Sequence, residues 1–357
     1  MIRHLSLIAL LFLATPACAG DLRDWLKEMS ELNPVIASGE KSIAQEVSLL
    51  TLEDGESEMY PKISPDGKQL LVASGKRNKT IVTRRLLENG DVLNVVIDDA
   101  LAIDSFAWHG NNQVMFLSER SGDLGLWSIS SDSQGPVQRM HRLTGQFIQP
   151  VVLDDGSVIA VQLVEKRARY KQVKSRSAAV SFSNWQSSSD ETRLLHIQDS
   201  GAVNGLAAGI NPALSPDGKK IVFSMQAGQS WHLFMMNVDG KDLVQLTNDH
   251  SIDVQPTWSP DGQWIAFTSN RGDTNVKSEN KNNWDIWMIH HDGRNLSRLT
   301  FDAAKDGGAA IAANGRLYFH SDRKVTKEER ELHTSKGSSS GFHIWSLALP
   351  DKVGGEL

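Results

Sequence analysis

Cysteine is almost absent from this chain, and so is any long uninterrupted run of apolar residues. The single cysteine, Cys18, excludes an internal disulfide, a zinc cage of several thiolates and an iron–sulfur cluster. No segment reaches the roughly twenty apolar residues that a membrane-spanning helix needs, so we predict no transmembrane segment. Positive charge is also scarce. The 37 Lys and Arg residues against 43 Asp and Glu give a formal net charge of −6, which argues against a nucleic-acid partner.

The amino terminus has the pattern of a secretory signal peptide. A short basic start precedes the apolar run LSLIALLFLA, whose length fits the hydrophobic region of such a signal. The residues ACA at 17–19 then supply the small-x-small cleavage pattern. We predict a signal peptide over residues 1–19, cleavage near Ala19/Gly20, and a periplasmic or secreted protein. The alternative is a lipoprotein modified at Cys18, but the leucine usual three positions before such a cysteine is missing.

The segment that follows, residues 20–44, has apolar residues at helical spacing. They predict a short amphipathic helix that ends before Pro34, either packed as a lid on the rest of the protein or binding a partner. The apolar positions are Leu22, Trp25, Leu26, Met29 and Leu32.

Turn-forming sequences recur along the rest of the chain at nearly constant intervals. Three strong copies contain Ser-Pro-Asp-Gly and are followed by apolar, strand-like runs. With three weaker copies, the turns end at residues 67, 112, 156, 218, 262 and 315, a basal period of about 44 residues with two insertions. A repeat of 40–45 residues with four strands is typical of a propeller blade. We therefore predict an all-β fold, a six-bladed β-propeller of four-stranded blades over residues 45–349, with a tail over 350–357.

Tryptophan is unusually frequent, with ten residues against three tyrosines. Several tryptophans stand at recurrent strand positions, where a wide, flat side chain would fill the wedge between neighbouring blades. We interpret them as packing residues and expect no ligand-stacking role. We also expect the strand-like run Val47–Leu52 to complete the last blade and so close the ring.

The repeats resemble those of a known family. The phrases PTWSPDGQWIAFTSNRG, NVDGKDLVQLT and HHDGRNLSRLT resemble the WD-like repeat of the TolB family. The resemblance implies a six-bladed propeller of the bacterial periplasm and cell envelope that recognises proteins. It does not extend to the amino-terminal α/β domain of that family, for which too few residues precede the first repeat.

The same repeat also resembles the propeller of prolyl-oligopeptidase-like serine peptidases, which would require a Gly-x-Ser-x-Gly elbow between a strand and a helix. Residues 337–341 match this pattern but lie in a polar Lys/Ser/Gly stretch. We interpret them as a loop and predict no catalytic residues.

Acidic residues precede several of the predicted innermost strands. Because these strands surround the central channel, we predict that their carboxylates meet at its mouth and bind a Lys or Arg side chain of a partner. They could instead hold Ca²⁺ or another divalent cation, or be solvated loop residues; we predict no other cofactor. The predicted channel-mouth residues are Glu58, Asp104, Asp253 and Asp306.

Three long loops fall on the face that carries the blade crossings: residues 165–192, 270–283 and 321–341. The first of them begins with a basic cluster that could dock an acidic protein, glycan or lipid headgroup, or could simply be solvated. The predicted contacts of this basic loop are Lys166, Arg167, Arg169 and Lys171.

These patterns favour an exported, non-catalytic propeller, monomeric, that binds an envelope protein or peptide through its loop-rich face and channel mouth. The alternative is a metal-assisted carbohydrate-active enzyme, a lyase or hydrolase, with its site at the channel mouth. In that case His250 and His320, near the relevant loops, would supply metal ligands. A sensor-type domain acting beside a separate enzyme is a third hypothesis.

Overall fold

A computed structural model describes nine segments of the chain. They are residues 41–42, 46–53, 57–76, 79–99, 102–164, 192–228, 230–271, 283–333 and 341–349. The predicted signal peptide, the predicted helix within 20–44 and the basic loop residues Lys166, Arg167, Arg169 and Lys171 lie outside the described residues. No helix among the described residues is long and apolar enough to cross a membrane.

The described residues form six antiparallel sheets, one for each predicted blade, so the all-β six-bladed propeller is confirmed. Blade 1 contains β3 (Glu58–Ile63), β4 (Gln69–Lys76), β5 (Lys79–Leu86) and β6 (Val92–Asp99). Blade 2 contains β7 (Phe106–His109), β8 (Gln113–Ser118), β9 (Gly125–Ser130) and β10 (Gln138–Arg142). Blade 3 contains β11 (Gln146–Val152), β12 (Val158–Leu163), β13 (Thr192–Ile197) and β14 (Val203–Ala208).

The remaining blades follow the same order from the innermost strand outward. Blade 4 contains β15 (Ile210–Leu214), β16 (Lys220–Ala227), β17 (Ser230–Asn237) and β18 (Val244–Gln245). Blade 5 contains β19 (Asp253–Trp258), β20 (Trp264–Ser269), β21 (Asp285–His290) and β22 (Ser297–Arg298), and β1 (Lys41–Ser42) adds to β22 in parallel. Blade 6 contains β23 (Asp306–Ile311), β24 (Arg316–Ser321), β25 (His343–Ala348) and β2 (Val47–Leu49), with helix α1 (Lys327–Leu332) between β24 and β25.

The ring is closed by a strand from the beginning of the described chain. Strand β2 pairs antiparallel with β25, with Val47 opposite Leu347 and Leu49 opposite Trp345. The amide of Leu50 continues this contact by donating to the carbonyl of Ile344 at 2.8 Å. The expected closure of the last blade is therefore confirmed.

Apolar side chains from facing blades fill the space between the sheets. Trp287 and Trp345 are each 2% exposed, which confirms their role in packing. Two further tryptophans tie neighbouring blades together through their indole N–H groups. Trp108 of blade 2 donates to the carbonyl of Lys62 in blade 1, and Trp258 of blade 5 donates to that of Ala213 in blade 4.

A buried unit of carboxylate, serine and arginine recurs in several blades. In blade 6 the guanidinium of Arg323 lies 2.8 Å from Asp306 and also hydrogen-bonds Ser321. The same guanidinium stacks on Phe319 and Trp345, at 5.1 and 5.2 Å from their ring centroids. Since Asp306 is fully buried, this arginine supplies the charge and hydrogen bonds that its carboxylate needs.

Blade 5 repeats this arrangement with its own residues, and blade 2 repeats it with a carboxylate of blade 1. Arg271 pairs with Asp253 and lies over Trp287, while Arg120 pairs with the partly buried Asp99 and lies over Trp127. The recurrent Ser-x-Arg sequence after the second strand of a blade thus has a structural reason. It brings a guanidinium back over the aromatic residues of that blade and onto a buried or partly buried carboxylate.

Removal of one of these arginines should destabilise the ring strongly. We expect Arg323→Met to lower the free energy of unfolding by about 3–5 kcal/mol, because Asp306 would keep a buried charge without a partner. Arg294→Met is the matched control, since Arg294 pairs with Asp292 on an exposed turn and its loss should change the free energy of unfolding far less. Urea unfolding followed by tryptophan fluorescence measures both, and equal losses would contradict the assignment.

Candidate functional site

A cavity of about 580 Å³ lies at the centre of the ring, where all six innermost strands meet. Its lining extends from the middle of these strands to the Ser-Pro-Asp-Gly turns, including Pro65, Pro216 and Pro260. We call this cavity the cup. Its position on the axis of the ring makes it the candidate functional site, because such a concave space is shaped by every blade at once.

A ring of five residues with left-handed backbone forms the inner end of the cup. Their φ angles lie between 53 and 57°, although four of the five carry side chains. In each of these innermost strands the pairing with the second strand shifts register at this place, as in a β-bulge. The bulge turns the side chain toward the axis of the ring. We call these residues the belt: Tyr60, Gln149, Asn211, Gln255 and Gly308.

Hydrogen bonds connect the belt residues from one blade to the next. The amide of Asn211 donates to Oε1 of Gln149 at 2.8 Å, and the amide of Gln255 donates to Oδ1 of Asn211 at 3.3 Å. The amide of Gly308 continues the series by donating to Oε1 of Gln255 at 2.8 Å. Each side-chain oxygen therefore accepts from the backbone N–H of the next blade. This relay orients the side-chain amides, since the atom facing a backbone N–H must be the oxygen.

A histidine continues the belt where Gly308 has no side chain. His320 accepts from the amide of Tyr60 through Nδ1 at 3.3 Å. Burial lowers the pKa of His320 to about 3, so the ring is neutral and Nδ1 can accept. The hydroxyl of Tyr60 in turn accepts from Nε2 of Gln255 at 3.4 Å, reaching across blade 6. The belt residues thus form the floor of the cup.

Charge is concentrated on the side of the cup formed by blades 1 and 2. Asp104 accepts from Nε2 of Gln149 at 2.6 Å, and burial raises the pKa of Asp104 despite this bond and nearby Lys62. Lys62 donates to the carbonyl of Phe106, and its ammonium lies 4.7 Å from the Phe106 ring centroid. Burial lowers the pKa of Lys62 to about 8, with Asp104 acting in the opposite direction. Both residues are half-buried and line the cup.

The wall above the belt is otherwise small or apolar. Each innermost strand places one residue in the cup wall at the same height above the floor as Lys62. The residues at this height on the other five strands carry no charge. These five wall residues are Ala107, Val151, Ala213, Thr257 and Ala310. An apolar wall with a few polar groups at the floor is the usual composition of a site for an organic ligand.

Of the four predicted channel-mouth residues, the structure places only Asp104 in the cup lining. Glu58, Asp253 and Asp306 are fully buried at the start of their innermost strands, two residues before the belt. The cup extends from the belt in the opposite direction, toward the turns. Their carboxylates pair within the protein: Glu58 with Arg85 at 3.0 Å, and the two aspartates with the stacked arginines described above. The structure therefore does not bring the four carboxylates together at one mouth.

One group of residues in the described part of the chain has the spacing of a metal site. Ligand atoms of His232, Asp249 and Asp253 lie within 4.8 Å of one another. However, the guanidinium of Arg271 already binds both carboxylates, with Asp249 at 3.1 Å. A metal ion there would have to displace a buried arginine. Of the two histidines expected to bind metal, His320 instead accepts from Tyr60 and packs edge-on against Phe342, and His250 lies exposed, outside this group.

Comparison with known proteins shows which families this chain is similar to. The family model described as the TolB beta propeller domain matches residues 174–276. A TolB homolog of Chlorobaculum tepidum is 43% identical over 51 residues, covering 14% of this chain and 12% of the homolog. An uncharacterized protein of Agrobacterium fabrum is 30% identical over 92 residues, covering 26% of this chain and 28% of that protein. The chain therefore matches less than a third of these relatives' own lengths.

The repeats of this β-propeller resemble the TolB propeller domain over part of the chain. A solved structure described as TolB of Agrobacterium tumefaciens matches with a TM-score of 0.52 and 18% identity, over 71% of this chain and 87% of that one. A gluconolactonase of Xanthomonas campestris also matches with a TM-score of 0.52, at 14% identity over 86% of this chain and 90% of that enzyme. At these identities the likeness of this chain to either structure concerns the fold alone.

Sequence reasoning missed the belt and Lys62. Four of the five belt residues stand directly before the proline that leads each repeat, and this shared position was the available signal. The residue types at that position differ, so no motif is visible there. Lys62 is a single charged residue in a turn-proximal strand, and nothing in its immediate sequence indicates that it faces a cavity.

The belt predicts a large difference between two glycine substitutions. In Gly308→Ala the new Cβ would lie 2.6 Å from the His320 ring, in addition to the unfavourable φ of 57°. We expect a loss of stability clearly above the roughly 1–2 kcal/mol that a left-handed alanine costs. Gly315→Ala is the control, because its φ of 73° is also left-handed but no atom lies within 4 Å of the added Cβ. Similar unfolding midpoints in urea for the two variants would contradict the close packing of Gly308 against His320.

Lys62 should lose its proton at a lower pH than the exposed lysines. After reductive methylation with ¹³C-formaldehyde, we expect one dimethyl-lysine NMR signal with a midpoint near pH 8, while exposed lysines titrate above pH 10. The signal should vanish in Lys62→Met. Because the folded protein holds this proton less tightly than the unfolded chain, the contribution of Lys62 to stability should increase as the pH rises from about 8 toward 10.5. A spectrum in which every lysine titrates above pH 10 would refute the buried position of Lys62.

Proposed function

We propose that this TolB-like propeller is an exported binding protein that takes a segment of a protein or peptide partner into the cup. The observation that carries the proposal is the cup itself, a cavity of about 580 Å³ with a polar floor and an apolar wall. This volume lies within the 300–1,000 Å³ typical of ligand sites. The floor is held by bonds between blades, so the site is already formed before a ligand binds.

The charged side of the cup would determine how a ligand is oriented in the proposed site. Asp104 and Lys62 both lie next to the floor and are only partly compensated by their surroundings, as the opposite changes in their pKa values indicate. A partner segment that offers polar groups here and apolar groups to Ala213 and Thr257 would satisfy both parts of the cup. We assign Asp104 a direct contact with the partner. Glu58, Asp253 and Asp306 would act indirectly, by anchoring the strands that form the wall.

A second contact region is proposed on the basic loop. Lys166, Arg167, Arg169 and Lys171 would attract an acidic surface of the partner and so increase the rate of association. Export rests on the signal-like sequence at residues 1–19, and the periplasm is the proposed compartment.

The alternative of a metal-assisted carbohydrate-active enzyme receives less support. Propellers of this fold include enzymes such as the gluconolactonase, so the fold itself is compatible with catalysis. The His232–Asp249–Asp253 group is the observation in its favour. Arg271 satisfies the two carboxylates of that group, and we therefore place the function in the cup.

Filling the cup tests the proposal. Thr257→Trp and Ala213→Trp would each place an indole in the wall, and we expect at least tenfold less partner captured from cell-envelope extract. Val203→Trp is the matched control, because Val203 is 53% exposed on the outer strand of blade 3 and should leave capture unchanged. Quantitative mass spectrometry of the captured proteins is the measurement. If both cup-filling variants fold and keep every partner of the wild type, the function does not lie in the cup.

A further inference from the structure

The belt forms the inner end of the cup. The Tyr60 hydroxyl accepts from the side chain of Gln255 two blades away, and Gln149 on the other side donates to Asp104. A partner that enters from the turns would therefore bring its leading group, either the end of a chain or one end of a small molecule, against these side chains.

The relay uses the oxygens of the belt side chains as acceptors. Oε1 of Gln149, Oδ1 of Asn211 and Oε1 of Gln255 each accept from the backbone amide of the next blade. Oε1 of Gln255 also accepts from Thr268. Each of these side-chain oxygens has therefore used at least one of its two acceptor positions, and Oε1 of Gln255 has used both. The structural role of the belt thus reduces the number of acceptors at the floor.

The donors of the floor are largely free. Within the described residues, Nδ2 of Asn211 makes no hydrogen bond, and the ammonium of Lys62 makes one, to Phe106, out of the three it can donate. The hydroxyl of Tyr60 accepts from Gln255 and so can donate its proton elsewhere. Burial raises the pKa of Tyr60 well above its usual range, which keeps this hydroxyl protonated.

From this surplus of donors, we propose that the floor of the cup binds a carboxylate, carried by the free carboxyl terminus of a peptide or by a small organic acid. The inference rests on the proposed function of the cup and names the chemical group that the cup recognises. A carboxylate offers acceptors only, and it would receive hydrogen bonds from Lys62 and Tyr60 on blade 1 and from Asn211 on blade 4. The positive charge of Lys62 would compensate the negative charge of the bound carboxylate.

Asp104 allows the predicted negative charge of the ligand to be tested. Its carboxylate lies beside Lys62 and would repel a bound anion but attract a cation. Removal of this charge should therefore strengthen the binding of a carboxylate ligand and weaken that of an ammonium or guanidinium ligand. Asp104→Asn keeps an oxygen to accept from Gln149, so the belt should persist.

The experiment uses two libraries of N-acetylated tetrapeptides, one with free carboxyl termini and one with amidated termini. Peptides retained by the protein at pH 7 are quantified by mass spectrometry, and propanoate is titrated separately by calorimetry. We expect at least tenfold more retention of free-acid peptides than of their amides. Saturable binding of propanoate without any preference among peptides would identify a small organic acid as the source of the carboxylate. Equal retention of acids and amides, with no binding of propanoate, overturns the proposal.

Variants of the floor separate the proposed contacts from a general loss of folding. Lys62→Met and Asn211→Asp should each reduce retention of free-acid peptides at least tenfold, and Asp104→Asn should increase it. Asn211→Asp keeps the acceptor that the relay needs while replacing the donor with a negative charge. Lys68→Met, at an exposed position on the adjacent turn, is the matched control and should change nothing. If Asp104→Asn weakens retention, the floor recognises a cation, and the carboxylate proposal is wrong.

Failure of this proposal can be distinguished from failure of the proposed function. If acids and amides are retained equally but Thr257→Trp abolishes both, the cup binds peptides without recognising a carboxylate. If Thr257→Trp changes nothing for either library or for the envelope partners, the cup is not the site.

Discussion

The belt depends on one constraint, that each buried backbone amide must find a hydrogen-bond acceptor. A bulge with left-handed φ turns the amide of each belt residue away from the strand ladder, and a buried amide without an acceptor costs about 1–3 kcal/mol. The oxygen of the preceding blade's side chain meets this need, as Gln149 does for Asn211. At Gly308 no side chain is present, and His320 from the second strand of that blade accepts from Tyr60 instead. The centre of the ring is thus held by bonds between blades.

This constraint also influences the chemistry of the cup. Each side-chain amide that accepts from the backbone through its oxygen presents its N–H₂ group to other partners. The N–H₂ group of Gln149 donates to Asp104 and that of Gln255 donates to Tyr60, while that of Asn211 has no partner among the described residues. Lys62 adds a charge that is surrounded by a single carbonyl, an aromatic ring and Asp104. The hydrogen bonds that hold the ring together thus also set the donors and acceptors available to the proposed ligand.

The fold could be predicted from the sequence because its turns are chemically distinctive. Proline, aspartate and glycine at fixed positions gave the six repeats, and the run beginning at Val47 was correctly expected to close the ring. The position of the carboxylates could be predicted only in part. Asp253 and Asp306 do begin innermost strands, but their burial depends on Arg271 and Arg323 folding back from the next strand. That contact follows from three-dimensional packing, which the spacing of acidic residues alone does not reveal.

The closure of blade 6 has a consequence for the order of folding. Val47 pairs with Leu347, three hundred positions later, so the last sheet cannot be completed until nearly the whole repeat region is available. Contacts of such long sequence separation slow folding, because the loop must be closed before the contact gives any stability. Blades 1 to 4 can form their sheets from consecutive strands as they are synthesised. Strand β2 must wait for β25, and until they pair both strands present unpaired backbone that could associate with other chains.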